Sequence, residues 1–336
     1  MGAGARTPRL SRLAGHLLRV KRLGRWSTLR CLACELGWRF HRGSAAQPAS
    51  QPPPAFTRHH PTVRVTWPPS YRWPPAASWL EPIRLGLEPL VELRRASLPY
   101  EPIRHVLPFE IEIAGRRHAI AVDYGDDVAL DPRLLRDYAI VFKMQYRLEG
   151  YGSEQVVPGG FVPNGMSLYR FLPHLRRLRD GGRRTSDAYG RFGDDKVVPI
   201  RDHAVELLQS QRSFRYRGGF GRVRYSGSLV DAASARTCVD LPGLGPLCFR
   251  LVDYLAIGVP IVSPPHLCRL HVQLEEGVHL VYCRADLSDL VETIEGLLAA
   301  PLRADQLARE ARNFFDQHLD YRRLAGHYLA TCLARL

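Results

Sequence analysis

One stretch, residues 239–262, constrains the fold of this chain more than any other. It runs Val-Asp-Leu-Pro-Gly-Leu-Gly-Pro-Leu-Cys-Phe-Arg-Leu-Val-Asp-Tyr-Leu-Ala-Ile-Gly-Val-Pro-Ile-Val. The pattern is a strand, a glycine-rich turn, a helix, a tight turn and another strand. Gly258 stands where helices prefer to end on glycine. The same rhythm holds from 183 onward. Strands are expected at 187–189, 214–216, 237–241, 260–263 and 279–283. Helices are expected at 200–210, 225–235, 248–257, 288–298, 304–315 and 321–336. Alternation of this kind builds right-handed βαβ units and a parallel sheet. Such sheets take ligands beyond the carboxyl ends of their strands.

The rest of the chain divides on composition. With 336 residues the chain exceeds one average domain. Residues 1–50 hold ten arginines and lysines against the single acid Glu35, so +9 of the net +14 sits there. The folded body is therefore only mildly basic, which argues against a nucleic-acid groove. Residues 1–43 alternate basic and apolar positions at helical spacing, which would suit peripheral contact with an anionic membrane; a poorly ordered extension is the simpler and preferred reading. Residues 44–61 are Pro-rich and read as linker. The expected organisation is an extension at 1–61, an N-terminal α/β domain at 62–182 and a C-terminal domain at 183–336. In the middle domain strands are expected at 63–67 and 139–144, a hairpin at 109–113 and 118–122 around Gly115, and helices at 80–93 and 168–178. No run of 18 apolar residues occurs. The seven cysteines are odd in number and irregular in spacing, which fits a reducing, cytoplasmic setting. Cys31-Leu-Ala-Cys34 lacks a second ligand pair and reads as incidental.

The turn before the 248–257 helix has the features of an anion site. Gly243 and Gly245 leave room at the backbone, and the helix that follows offers unpaired N–H groups at its positive end. Arg250 can add a bidentate phosphate contact. Asp253, three residues on, shares a helical face with Arg250 and can accept two ribose hydroxyls.

On these residues the chain resembles the GT-B glycosyltransferases. Asp253-Tyr-Leu-Ala-Ile-Gly-Val-Pro-Ile-Val262 is similar to their acidic residue followed by a small-residue helix end and Gly-x-Pro-hydrophobic-Val. Glu276-Gly277, Asp286 and Phe314-Phe315 continue the likeness, whose flavour is that of the family 1, CgeB-like group. The resemblance covers about 183–336. It implies two Rossmann-like doubly wound domains, the N-terminal one short or incomplete, and a donor site in the C-terminal one. It implies that Asp253 holds the nucleotide ribose. Arg191 and Lys196 resemble the pair that contacts the diphosphate, and Gly218-Gly219 the glycine turn beside the nucleotide. The chain departs from the retaining subgroup at Gly245, where that subgroup has a second glutamate eight positions before the ribose carboxylate.

Other candidates follow from position. His266, Arg269 and His271 come after the 260–263 strand, where ligands tend to sit, and His266 is expected at the donor. Asp123 and Asp126 follow a hairpin strand, and either can serve as the base that deprotonates an acceptor. Lys143, Gln145 and Tyr146 follow the next strand and face the domain cleft in this reading. No Asp-x-Asp clamp is evident, so no metal or other cofactor is expected, the nucleotide-sugar being a substrate. The expected partners are a nucleotide-sugar donor and a glycan or other hydroxyl acceptor. Two other readings remain: a non-catalytic nucleotide-sugar binder with the same fold, and a dehydrogenase. The second would need Gly-x-Gly-x-x-Gly after a strand, which the glycines at 218, 219 and 221 do not supply.

Overall fold

The computed structural model describes residues 59–193, 198–221 and 223–336. The basic extension, the Cys31/Cys34 pair and Lys196 lie outside the described residues.

The first sheet is built from β1 (His60–Trp67), β2 (Val91–Arg95), β3 (Val106–Ile113), β4 (Arg116–Asp123), β5 (Ile140–Lys143) and β7 (Val156–Pro158), in the order β2-β1-β3-β4-β5-β7. Helices α1 (Ala77–Leu87) and α2 (Pro132–Asp137) lie between β1 and β2 and between β4 and β5. The β1–β2, β4–β5 and β5–β7 pairs are parallel. The β1–β3 and β3–β4 pairs are antiparallel, so this sheet is mixed. The cause is the β3–β4 hairpin, turned at Ala114 (φ 51°) and Gly115 (φ 78°), the positive-φ pair that matches strand twist in a two-residue loop. The helix expected at 80–93 is divided. Leu80, Ile83 and Leu87 form the buried stripe of α1, and Leu90 and Val91 continue its spacing. Parallel pairing of Val91–Arg95 with β1 overrides that periodicity.

The second sheet contains β8 (Ser186–Phe192), β9 (Tyr216–Phe220), β10 (Ala235–Val239), β11 (Ile261–Ser263) and β13 (Val281–Tyr282), ordered β13-β11-β10-β8-β9. Every pair is parallel. Helices α4 (Pro199–Ser210), α5 (Tyr225–Ala233), α6 (Phe249–Ile257) and α7 (Leu290–Ala299) connect or flank these strands. β9 adds on one side of β8 and β10 on the other, so the winding reverses between β8 and β10. In an open α/β sheet that reversal leaves a crevice at the carboxyl edge. The chain is thus α/β, and its second half is Rossmann-like.

The two sheets are locked together. Helix α3 (Ser167–Gly181) joins them, and α8 (Pro301–Phe314), a π-helical turn (Phe315–Leu319) and α9 (Tyr321–Arg335) lead the chain back to the first sheet. A Cβ on Gly86 of α1 would lie 2.4 Å from the Tyr321 carbonyl oxygen and 2.5 Å from the Ala325 Cβ, so α1 and α9 cross at a distance only glycine allows. Phe142 of β5 stacks on Tyr328 of α9 at 3.9 Å. Arg176 of α3 grips both carboxylate oxygens of Asp316 at 2.7 and 3.0 Å. A two-stranded antiparallel ladder of β6 (Tyr146–Arg147) and β12 (Cys268–Arg269) makes a further link. Among the described residues no helix is long and apolar enough to cross a membrane.

Candidate active site at the carboxyl edge of the second sheet

The carboxyl ends of β8, β10 and β11 lie along one edge, and Arg191, Gly243, Gly245 and His266 of the expected donor set stand at or just beyond them. Arg191 is the penultimate residue of β8. Its Nη1 donates to the Phe220 carbonyl at 3.0 Å, and its buried Nε has no hydrogen-bond partner among the described residues. Arg201, in the first turn of α4, ties the two banks of the crevice: its Nε donates to the Pro242 carbonyl at 3.0 Å and its Nη1 to the Gly193 carbonyl at 3.3 Å. Gly218 and Gly219 lie inside β9 rather than in a turn, paired with Gly190 and Arg191. A Cβ on Gly218 would fall 1.8 Å from the Gly190 carbonyl oxygen, so this glycine serves close strand approach.

The loop after β10 begins with Asp240. Its carboxylate is buried, and Oδ1 has no hydrogen-bond partner among the described residues. Two nitrogen groups stand just beyond hydrogen-bond reach: Arg250 Nε at 3.7 Å from Oδ1 and His266 Nε2 at 3.8 Å from Oδ2. Arg250 does not project into open space. Its Nη2 donates to the Leu241 carbonyl at 2.7 Å, its guanidinium lies 5.0 Å over the Phe192 ring, and its Nε is also unmatched. The nearby acidic groups raise its pKa against the pull of burial.

His266 continues this chain outward. Its Nε2 is 3.4 Å from Ser263 Oγ and its Nδ1 is 3.1 Å from the Tyr282 hydroxyl. Burial pushes the Tyr282 phenol up, with Glu276 adding to the shift. His266, Tyr282, Leu247, Arg269 and Glu276 line a cavity of about 550 Å³, within the usual range of small-molecule sites.

The amino end of α6 is closed by the first half of the chain. Gln145 Nε2 donates to the Leu247 carbonyl, and the Leu247 N–H donates to Gln145 Oε1, each at 2.9 Å. Phe249 stacks on Trp79 at 4.9 Å and on Phe161 at 5.2 Å. A Cβ on Gly245 would stand 2.4 Å from Gln145 Nε2 and 2.7 Å from the Asp126 carbonyl oxygen. The room Gly245 leaves is therefore filled by protein. Gly243 meets only ordinary contacts, with Arg201 Nη2 at 3.5 Å.

Asp253 is buried in the same contact. Its Oδ1 accepts the Tyr225 hydroxyl at 2.6 Å, and the Asn164 N–H, from the loop after β7, also donates to the carboxylate. Burial pushes its carboxyl up to about 8, against these hydrogen bonds and Arg250. Tyr225 thus occupies an acceptor position on the Asp253 carboxylate.

The acids of the first half separate in role. Asp123, the last residue of β4, is buried and paired with Lys143 at 2.9 Å, while its Oδ1 accepts the Gly125 N–H. Burial raises its pKa and Lys143 opposes the rise. These partners commit it to the fold. Asp126 is exposed, and its carbonyl abuts Gly245. Its carboxyl is pushed up by desolvation, with His105 and Lys143 pulling the other way. His271 stacks on His327 at 4.3 Å, away from the His266 chain.

Sequence reasoning placed Gln145 at the domain cleft but missed Asp240, Arg201, Tyr225 and Tyr282. Asp240 and Tyr282 carry a positional signal, since each lies at the carboxyl end of a parallel strand. The other two act across 28 residues or more, and no local pattern marks them. Among the described residues no group of three or more His, Cys, Asp or Glu side chains is arranged to hold a metal ion.

No protein-family model matches the chain, and no curated protein does. Solved structures similar to parts of it include HepE of Anabaena in complex with UDP and glucose, at 15% identity and a TM-score of 0.41, covering 60% of this chain and 65% of that one. Sucrose-phosphate synthase of Thermosynechococcus elongatus matches at 14% identity and a TM-score of 0.38, over 53% of this chain and 52% of that one. TarM matches at 10% identity and a TM-score of 0.38, over 62% of this chain and 47% of that one. The chain therefore spans about half to two thirds of the length of these structures.

Proposed function

We propose that this chain binds a nucleotide-sugar in the crevice at the β8/β10 reversal and transfers the sugar to a hydroxyl acceptor. The observation that carries the reading is the pair of buried charged atoms at that edge, Asp240 Oδ1 and Arg250 Nε, left without hydrogen-bond partners among the described residues, with His266 standing between Asp240 and a cavity of about 550 Å³. Buried polar groups are nearly always satisfied, so unmatched ones beside a cavity favour a ligand or water there.

In this reading Arg191, with Lys196 beside it in sequence, takes the diphosphate, and His266 and Tyr282 face the sugar. Asp253 takes the ribose once the Tyr225 hydroxyl gives way. The acceptor oxygen bonds to the anomeric carbon as the bond to the departing diphosphate oxygen breaks. Asp126 accepts the acceptor's proton, and the guanidinium groups stabilise the charge left on the nucleotide. The segment 62–182 then serves the acceptor and 183–336 the donor. No step requires a metal. A non-catalytic binder is the second reading, favoured by Gly245 standing where an acid occurs in the retaining subgroup and by the Gln145 clamp over it.

The test is a thermal-shift series with UDP, GDP, TDP and their sugars. A ligand at ten times its dissociation constant adds about 1.4 kcal/mol of stability. Arg191→Ala and His266→Ala should abolish that response while the proteins stay folded, and Asp126→Asn should keep the response but lose transfer. Absence of a shift with every nucleotide sinks the reading. A shift without donor turnover, with or without acceptor, selects the binder.

A further inference from the structure

At the opposite, amino edge of the second sheet lies a second cavity, of about 110 Å³, lined by Arg179, Arg184 and Arg236. The space equals roughly three to four waters' share of liquid volume, which suits one small oxyanion and excludes a nucleoside. Arg179 comes from the last turn of α3, Arg184 from the link into β8, and Arg236 from the start of β10. Their hydrogen bonds run to main-chain carbonyls and not to carboxylates. Arg179 donates to Ala235, Arg184 to Arg179 and Gly182, and Arg236 to Leu298. Arg236 also stands 3.7 Å from Asp187. Asp305, exposed, is the acid that lines the cavity.

Arg179 is 5% exposed. Burial, joined by the charge of Arg184, lowers its pKa to about 10. Asp305 opposes that shift only from an exposed position; a buried cation so weakly countered is costly, and a second cation beside it adds to the cost. The amino end of α8 faces the same space through Pro301 and Ala304, and its Ala300 cap has no side-chain acceptor. The helix end adds positive potential. A carbonyl uses little of the donor capacity of a guanidinium, whose fork matches the oxygens of a tetrahedral anion.

We propose that the Arg179–Arg184–Arg236 cavity is a binding site for a phosphate group, separate from the crevice at the carboxyl edge. The proposal does not depend on the donor-site reading. The ligand is free inorganic phosphate or the phosphate end of a larger molecule whose body stays in solvent.

The experiment is calorimetric titration of the full chain with inorganic phosphate at fixed ionic strength, against chloride as the control anion. Phosphate should bind saturably and chloride should not. Arg184→Gln and Arg236→Gln should each weaken phosphate by about tenfold or more, while Arg191→Gln at the other edge leaves it unchanged. Asp305→Asn, at an exposed position, should tighten phosphate several-fold, an outcome that loss of folding cannot imitate. Glycerol phosphate binding as well as inorganic phosphate assigns the site to a carried phosphate group, and its failure to bind assigns it to the free ion. The proposal is overturned if chloride matches phosphate, or if phosphate affinity is unmoved by the Arg184, Arg236 and Asp305 changes.

Discussion

Replacing Gln145 with leucine tests whether the two halves of the chain are coupled at the amino end of α6. The amide side chain meets both the N–H and the carbonyl of Leu247 at 2.9 Å, across 102 residues of sequence. Leu247 is 3% exposed, so neither backbone group has water in reserve. Leucine keeps the approximate bulk and removes both partners. Each orphaned buried group costs about 1–3 kcal/mol, so the expected loss is about 2–4 kcal/mol once partial relaxation is allowed. Urea unfolding should show this as a lower midpoint at constant slope. Amide exchange should show it locally, as faster exchange from Leu247 onward into α6. Gly245→Ala supplies the cross-check, because its new Cβ would clash with Gln145 Nε2 at 2.4 Å and with the Asp126 carbonyl oxygen at 2.7 Å. The two changes share a contact, so their costs should fall short of additivity in a double-mutant cycle. A Gln145→Leu protein within 0.5 kcal/mol of the parent, on the order of an ordinary surface change, would refute the claim that this amide closes the helix end.

Two further predictions concern buried charge. Lys143→Met leaves Asp123 buried without its cation, which should destabilise the protein by about 3–5 kcal/mol; adding Asp123→Asn should recover a large part of that loss, as read by urea unfolding. Asp253→Asn should stabilise the protein, and the gain should grow with pH. The carboxyl titrates at about 8 when folded but near 3.9 when unfolded, so between these values the folded state binds the extra proton and stability falls as pH rises. Melting curves from pH 5 to pH 8 check this, and a gain independent of pH counts against a neutral Asp253 in the fold.

The second half of the chain was largely legible because a parallel sheet writes its order into alternating strands and helices. Strands expected at 237–241 and 260–263 overlap β10 and β11, and the helix expected at 248–257 overlaps α6. The first half was harder. β2 follows α1 so closely that Leu87, Leu90 and Val91 preserve a helical period, and only the pairing of β2 with β1 reveals the strand. The glycines show the same limit. Gly218 and Gly245 have no side chain in the sequence, and the reason is invisible there: one admits the Gly190 carbonyl, the other admits Gln145 and the Asp126 main chain. Ligand room and protein contact leave the same trace in a sequence.

That ambiguity bears on where chemistry can occur. Arg250 and Asp253 share a helix face, and periodicity alone sends both toward one ligand. In the fold each is already held, Arg250 by the Leu241 carbonyl and Phe192, Asp253 by Tyr225 and Asn164. The open volume instead lies one loop along, at His266 and Tyr282, with Asp240 behind them. Tyr225 and Asn164 belong to different halves of the chain, so freeing Asp253 requires the loop after β7 to separate from α5 and α6. On the proposed reading, ribose binding and this separation are one event, and the nucleotide's affinity is lowered by the free energy of opening. Tyr225→Phe removes the hydroxyl that holds the closed contact. It should therefore tighten nucleotide binding in the same thermal-shift series, whereas a ribose site already open would be left unchanged or weakened.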